Sequence, residues 1–493
     1  MTVMLIVPIG APIAAAGAYA ALGWRRATAW LGAVAAAVVL ASGAVLAAST
    51  DDRPPTALDG LLRADALSAF MLIVIGAVAL LAMLASPGYL AAEKAAGHAT
   101  GRDTRRYGVL TQGFVAAMAL GVLAASLGVL WVAVEATTIL TAFLVGHRRT
   151  RNATEAAWKY VVICSTGIAL AFLGIALLHF AARHAQVPSS GSLDFTQLTA
   201  YAGRLDPGVT RIAVALLVLG FGAKAGLAPL HAWLPDAHSQ APAPVSALMS
   251  GVLLSVAFYA VLRVKVIADI ALGAGFVRVL LLIIALASLA LAAALLLAQR
   301  DYKRMLAYSS MEHMGLLALG AAIGSRLAVA AVLLHVLGHG LAKSVAFLAS
   351  GQIQQAVGGS RIDAARGLAA RAPLVAGGFG AAVLALLGFP PFSLFASEIG
   401  IFRAGFDAGL GWAVAAALAL LLLITASLAA RTGRMLLGAP KTGPGAATLP
   451  FRPAAAAGAA LVAGLVACAA LGITIWPLHS LLDHAAAILE AHG

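Results

Sequence analysis

VTRIAVALLVLGFGAKAGLAPL, residues 209–230, is an apolar run with one ammonium, at Lys224, and a helix-breaking pair, Gly226 and Pro229, just behind it. About 20 mostly apolar residues cross a bilayer. A charge at mid-depth costs at least about 2.5–3.5 kcal/mol on insertion scales. The run therefore reads as a membrane span interrupted at a charge, and the rest of the chain fits the same solvent. Of its 493 residues, 62% are hydrophobic and 10% charged, with a mean hydropathy of +0.98. Soluble proteins hold about 45–50% apolar and about 25% charged residues. So little charge cannot cover a water-facing surface, which excludes a cytosolic enzyme, a secreted domain and a DNA-binding module. The net charge of +13 needs no nucleic-acid partner, because Lys and Arg collect in loops on one side of a membrane. Cys164 and Cys468 lie in apolar runs without ligand spacing, so neither a disulfide framework nor an iron–sulfur or zinc site is expected.

On this template fourteen spans are expected, near 2–24, 28–48, 65–87, 108–127, 128–147, 156–181, 209–228, 243–265, 272–298, 304–323, 326–350, 373–402, 410–430 and 454–476. The fourth and fifth are separated only by Ser126, Leu127 and Gly128. The first is too long for a signal-peptide core and has no basic residue before it, so it reads as a retained helix. Lipid offers no partner to a loose backbone amide, so the fold class is all-α, a polytopic membrane protein with about 14 transmembrane helices. Spans 4–8 and 9–13 each hold five crossings with the break in the fourth. An odd number of crossings makes the second set enter from the opposite side, giving two inverted five-helix repeats with discontinuous helices 7 and 12. The segments are 1–107 (three spans), 108–268 (first repeat), 269–436 (second repeat) and 437–493 (last span and tail). Odd-numbered loops hold twenty Lys and Arg and even-numbered loops ten, Arg53 among the latter and Lys441 among the former. This bias puts odd loops in the cytoplasm and both termini outside.

Two basic residues are left over from that loop count, Lys224 and Lys343, both well inside spans, and three acids join them: Glu135, Glu312 and Glu398. His335 and His339 precede Lys343 at successive intervals of four, so at about 3.6 residues per turn all three share one helix face. The plainer alternative is a set of buried ion pairs that fix packing. Five acidic and basic groups alternating along one chain favour a proton relay instead. His313 reads as a packed hydrogen-bonder. A metal site on the histidine stripe would need a carboxylate or thiolate, and that face carries none, so no metal is expected. Gly388, Pro390 and Pro391 stand before Glu398 as Gly226 and Pro229 stand after Lys224. Proline removes a helical hydrogen bond, and broken helices in repeated halves mark ion sites in transporters.

AGLAPLHAWLPDAHSQAPAPVSALMSG, with WVAVEATT upstream and KRMLAYSSMEHMG, HGLAKSVAFLASG and GFPPFSLFASEIGIF downstream, resembles the antiporter-like subunits of complex I and of multi-subunit cation–proton antiporters. The resemblance runs from about residue 108 to 430. Within that superfamily the sequence is most similar to the hydrogenase-4 component F branch, membrane subunits associated with group 4 NiFe hydrogenases. EATTILTAFLVGHRRTRNATEAAWKYVVICSTGIALAFLG follows that branch, and Glu312-His313 stands where complex I relatives usually have uncharged polar residues. The chain stops about 17 residues after the last span, so the long lateral helix of the distal complex I subunit is expected to be absent. The resemblance makes Glu135 the helix-five glutamate, Lys224 the helix-seven lysine, Lys343 the central lysine and Glu398 the terminal carboxylate. Ser255 stands where some relatives place a lysine or histidine, which leaves the middle of the relay to water.

The resemblance implies a proton-translocating module of a bacterial or archaeal cytoplasmic membrane. Its partners are other membrane subunits and a peripheral NiFe hydrogenase or related redox arm, its ions protons with sodium as the alternative. No cofactor is expected in this chain, and no nucleotide loop or hydrolytic triad is present. Desolvation disfavours a charged lysine and a neighbouring carboxylate favours it, so Glu135 and Lys224 are expected to act as a switchable pair that feeds His335, His339 and Lys343, with Glu398 as exit. Rival readings are a complex I subunit, a sodium/proton antiporter subunit, an inorganic-carbon uptake subunit and a non-conducting scaffold.

Overall fold

The computed structural model of the chain describes residues 2–49, 54–188, 191–439 and 452–490. Arg53 and Lys441 lie outside these residues. The described helices are α1 (Thr2–Leu22), α2 (Leu31–Ala48), α3 (Ala66–Ala95), α4 (Gly101–Leu123), α5 (Leu127–Val145), α6 (Arg151–His184), α7 (Phe195–Tyr201), α8 (Pro207–Lys224), α9 (Leu234–Gln240) and α10 (Ala243–Leu248). They continue with α11 (Leu254–Leu272), α12 (Ala274–Leu296), α13 (Tyr302–Ile323), α14 (Arg326–Val357), α15 (Leu368–Arg371), α16 (Pro373–Leu386), α17 (Ser393–Asp407), α18 (Gly411–Leu437), α19 (Ala455–Ile473) and α20 (His479–Leu489). A π-helical turn, Met249–Leu253, joins α10 to α11. The sequence patterns did not reveal a two-residue hairpin, Thr56–Ala57 against Leu62–Arg63, or the amphipathic α20.

Twelve helical stretches among the described residues are long and apolar enough to cross a membrane. The two other expected spans exist in different form. Span 304–323 is α13, whose middle carries Ser309, Ser310, Glu312 and His313 and so is less apolar. Span 373–402 is split into α16 and α17, each too short to cross alone. The close boundary between spans four and five is settled by capping: Ser126 leaves the helix and its hydroxyl accepts from the Val129 amide, so α4 ends at Leu123 and α5 starts at Leu127. The seventh span continues past its break, for the chain after Lys224 runs through residues 225–233 and resumes as α9.

The interior belongs to three helical stretches. Residues 243–272 and α14 are buried throughout their most apolar windows, and every residue of α13 except Arg304 is buried. Around them, α6, α18 and α19 keep large apolar side chains such as Trp158, Leu422 and Val466 exposed, as lipid-facing helices do. Lipid tails are as apolar as leucine, so helices in a bilayer associate through close van der Waals packing at small residues. The α6–α8 contact shows how. A Cβ at Gly220 would stand 2.5 Å from the Gly167 carbonyl oxygen, and one at Gly167 would stand 2.6 Å from the Ala223 Cβ. Only glycine lets these backbones touch, which brings Tyr160 of α6 onto the end of α8.

Candidate functional site

α8 ends at Lys224, so its ammonium sits at the negative pole of a helix. Behind it Gly226 takes φ +74°, the bond Ala228–Pro229 is cis, and the freed Ala223 carbonyl accepts from the Trp233 indole at 2.9 Å. The fully buried Nζ of Lys224 donates to Thr138 Oγ1 at 2.8 Å and to the Tyr160 hydroxyl, and lies 4.6 Å from the centre of the Tyr160 ring. Tyr160 is itself held by Thr141 at 2.5 Å. Glu135, one helical turn before Thr138, takes a hydrogen bond from Ser165 at 3.1 Å through Oε1, while its buried Oε2 has no partner. The direct Glu135–Lys224 pair is therefore not formed; the two share a neighbourhood, but neutral hydroxyls hold the lysine.

The second cluster centres on Lys343, at the middle of α14. Nζ donates to the Leu306 carbonyl at 2.8 Å and to Ser309 Oγ, both from α13. Glu312 lies one turn beyond Ser309, within electrostatic range of Lys343 and Glu398, and its buried Oε2 has no hydrogen-bond partner. His335 and His339 share the face of Lys343 as their spacing predicts, but their partner was not expected. His313 Nδ1 lies 3.1 Å from His335 Nε2, and its ring is 5.0 Å from that of His339. His335 Nδ1 meets Ser397 Oγ at 2.9 Å, and Glu398 follows on α17. The second break mirrors the first, with Gly388 at φ +65° and Pro390–Pro391 cis. The Glu398 carboxylate packs onto that glycine, where a Cβ would stand 2.3 Å from Oε2. The stripe itself carries no carboxylate, as expected, yet the neighbouring helix supplies one.

Between the clusters lie further polar groups, of which the sequence patterns single out only Ser255. His238 of α9 is fully buried with neither ring nitrogen bonded, and stacks 5.2 Å from Phe347, four residues past Lys343. Ser250, on the π turn, meets Ser310 at 2.7 Å, and Lys303 Nζ donates to the Ala241 carbonyl at 2.8 Å. The Ser255 hydroxyl is buried and unpartnered. α9 also reaches a polar cavity of about 600 Å³ lined by Lys159, Asp236 and Arg304 among others. His313, read from the sequence as a packed hydrogen-bonder, joins the histidine cluster, while Thr138, Tyr160, Ser309, His238 and Ser397 are the residues that the sequence patterns do not single out. Their signal was proximity to the charges those patterns do reveal, for Thr138 lies three residues from Glu135, Ser309 three from Glu312 and Ser397 beside Glu398.

Residues 124–425 match the family described as NADH:quinone oxidoreductase/Mrp antiporter, TM. A hydrogenase-4 component F homolog from Methylacidiphilum infernorum (isolate V4) is 37% identical over 345 residues, 69% of this chain and 72% of that one. NADH-quinone oxidoreductase subunit N of Desulforudis audaxviator (strain MP104C) is 36% identical over 280 residues, 56% of this chain and 54% of that relative, so this chain spans about half its length. A chain in the structure of the membrane-bound sulfane sulfur reductase, an archaeal respiratory membrane complex, superimposes with a TM-score of 0.86 at 24% identity, covering 99% of this chain and 98% of that one. The extent of the family match, the all-α fold and the apolar spans lead to one conclusion: this chain is a multi-pass integral membrane protein and belongs to the NADH:quinone oxidoreductase/Mrp antiporter transmembrane family.

Proposed function

We propose that this chain is a proton-translocating subunit of a redox-driven membrane complex, of the group 4 hydrogenase type. One observation carries the transport reading: Lys224 and Lys343, the two fully buried lysines of the relay, are held by neutral oxygens and not by carboxylates. A structural ion pair would put the opposite charge in contact, since a buried charge left uncompensated is strongly destabilising. An ammonium on hydroxyl and carbonyl acceptors can instead become a neutral amine without breaking a salt bridge. Protons enter at the polar cavity beside Asp236 and reach Lys224. They pass His238 and the Ser250–Ser310 bridge to Lys343, then Glu312, His339 and His335, and leave by Glu398. Fourteen crossings serve this path: the halves of helices 7 and 12 count as one span each, and residues 108–268 and 269–436 are inverted repeats, with both termini outside.

The hydrogenase assignment draws on the 37% identical relative of that name. The match to a subunit N favours a complex I-type partner as the second reading. In either complex the redox arm supplies the energy, and this chain contributes the membrane path. The test is proton uptake, followed by fluorescence quenching, in inverted vesicles containing the assembled complex. Lys224→Ala and Lys343→Ala should abolish uptake with assembly intact. Lys→Arg should not restore it, because a guanidinium does not release its proton. Uptake at the native rate in either arginine variant refutes a carrier role at that site.

A further inference from the structure

We propose that His313, His335 and Glu398 form a binding site for one divalent cation of the Zn²⁺ class where α13, α14 and α17 meet. One ligand atom from each of the three lies within 4.8 Å of the others. Two imidazoles and a carboxylate are a ligand set of open zinc sites, with the fourth position left to water. Imidazole selects Zn²⁺, Co²⁺ or Cu²⁺ over Mg²⁺ or Ca²⁺, which prefer oxygen alone. The spacing agrees: two nitrogens about 2.05 Å from a tetrahedral ion stand about 3.3 Å apart, and His313 Nδ1 and His335 Nε2 are 3.1 Å apart. Small movements open that contact to an ion in place of the shared proton.

The surroundings are those of a supported site. Ser397 Oγ on His335 Nδ1 fixes the ring and leaves Nε2 toward His313, the arrangement that orients metal-bound histidines. α17 packs its Ser393 side chain directly onto the α14 backbone, since a Cβ at Gly338 would stand 2.3 Å from Ser393 Oγ. The remaining nitrogen of His313, Nε2, is buried without a partner. Glu398 is the partly exposed member of the three, which makes it the point of entry. Binding does not depend on the transport reading. Its consequence does: an ion here removes His335 and Glu398 from the proton path and blocks it.

The test uses the full chain in its assembled complex, washed with chelator and titrated with Co²⁺. One Co²⁺ per chain should bind with the intense visible bands of tetrahedral coordination, and Zn²⁺ should bleach them. His313→Gln and Glu398→Gln should abolish the bands. Ser397→Ala keeps all three ligands and should weaken binding about 10–100-fold through loss of ring orientation, which tests the site even where the first two variants do not assemble. Absence of the bands in the native complex, or bands unchanged in Ser397→Ala and Glu398→Gln, overturns the site. Zn²⁺ added to vesicles should stop proton uptake in the native complex. Bands without that block leave the metal site standing and overturn the placement of His335 and Glu398 on the proton path.

Discussion

Tyr160→Phe isolates one hydrogen bond to Lys224. The phenyl ring keeps the volume and the 4.6 Å approach of the ammonium to the ring, and only the hydroxyl is lost. Thr138 remains as acceptor at 2.8 Å. A hydrogen bond to a charged group contributes about 1.5–3 kcal/mol, so removing one biases Lys224 against its protonated form by about 10–150-fold at fixed pH, at about 1.4 kcal/mol per decade. If Lys224 must load a proton in each cycle, uptake should fall by up to that factor near neutral pH. It should recover as the uptake side is acidified by one to two pH units, about the range those decades represent. The assay is the initial rate of fluorescence quenching in inverted vesicles between mildly acidic and mildly alkaline pH, with redox activity measured in parallel. A profile identical to the native one, or a loss that acid does not restore, refutes the reasoning, since it would show that the Lys224 protonation equilibrium does not set the rate.

Glu135→Gln should lower uptake, and adding Lys224→Met should cost little more, because coupled sites are not additive; strictly multiplicative losses in the double variant would show that the two residues work separately, which their separate partners Ser165 and Tyr160 also allow. Single cysteines near the N-terminus and Arg204 should label with an impermeant thiol reagent from outside, and those at Arg102–Arg106 and Arg361–Arg371 from the cytoplasm; the reverse pattern rejects the orientation, and the buried Cys164 and Cys468 are replaced first. Asp65→Asn should destabilise the chain by about 1–3 kcal/mol, because it takes the carboxylate from the partly buried Arg263, which keeps only the neutral Tyr259 and Ser68 hydroxyls, and weakens the cap on the Ser68 amide. Burial alone would raise the Asp65 carboxyl, but the Arg263 guanidinium and the Ser68 amide together hold it below the usual range. Its stabilisation is therefore present above the ordinary carboxylate pKa and is lost as pH falls through the lowered one, so thermal stability in detergent should decline on acidification in the native chain and less in Asp65→Asn.

Fold class was legible because the solvent writes it into composition. A run such as 209–230 must be helical in lipid, whatever it packs against, and a lysine within it is conspicuous because its transfer cost is local. For the same reason Glu135, Lys343, Glu312 and Glu398, the His335–His339–Lys343 face and both breaks could be read from residue order alone. What holds each charge could not. Tyr160 is 64 residues from Lys224 and Thr138 is 86, and their meeting depends on two glycines, Gly167 and Gly220, that let α6 and α8 touch. The carboxylate beside the histidine stripe likewise comes from α17, 63 residues beyond His335, and His313 turns toward that stripe only because α13 packs on α14. The cost of a charge in lipid is a property of one residue and its depth, whereas the acceptor that relieves it is a property of packing, decided only when the helices come together.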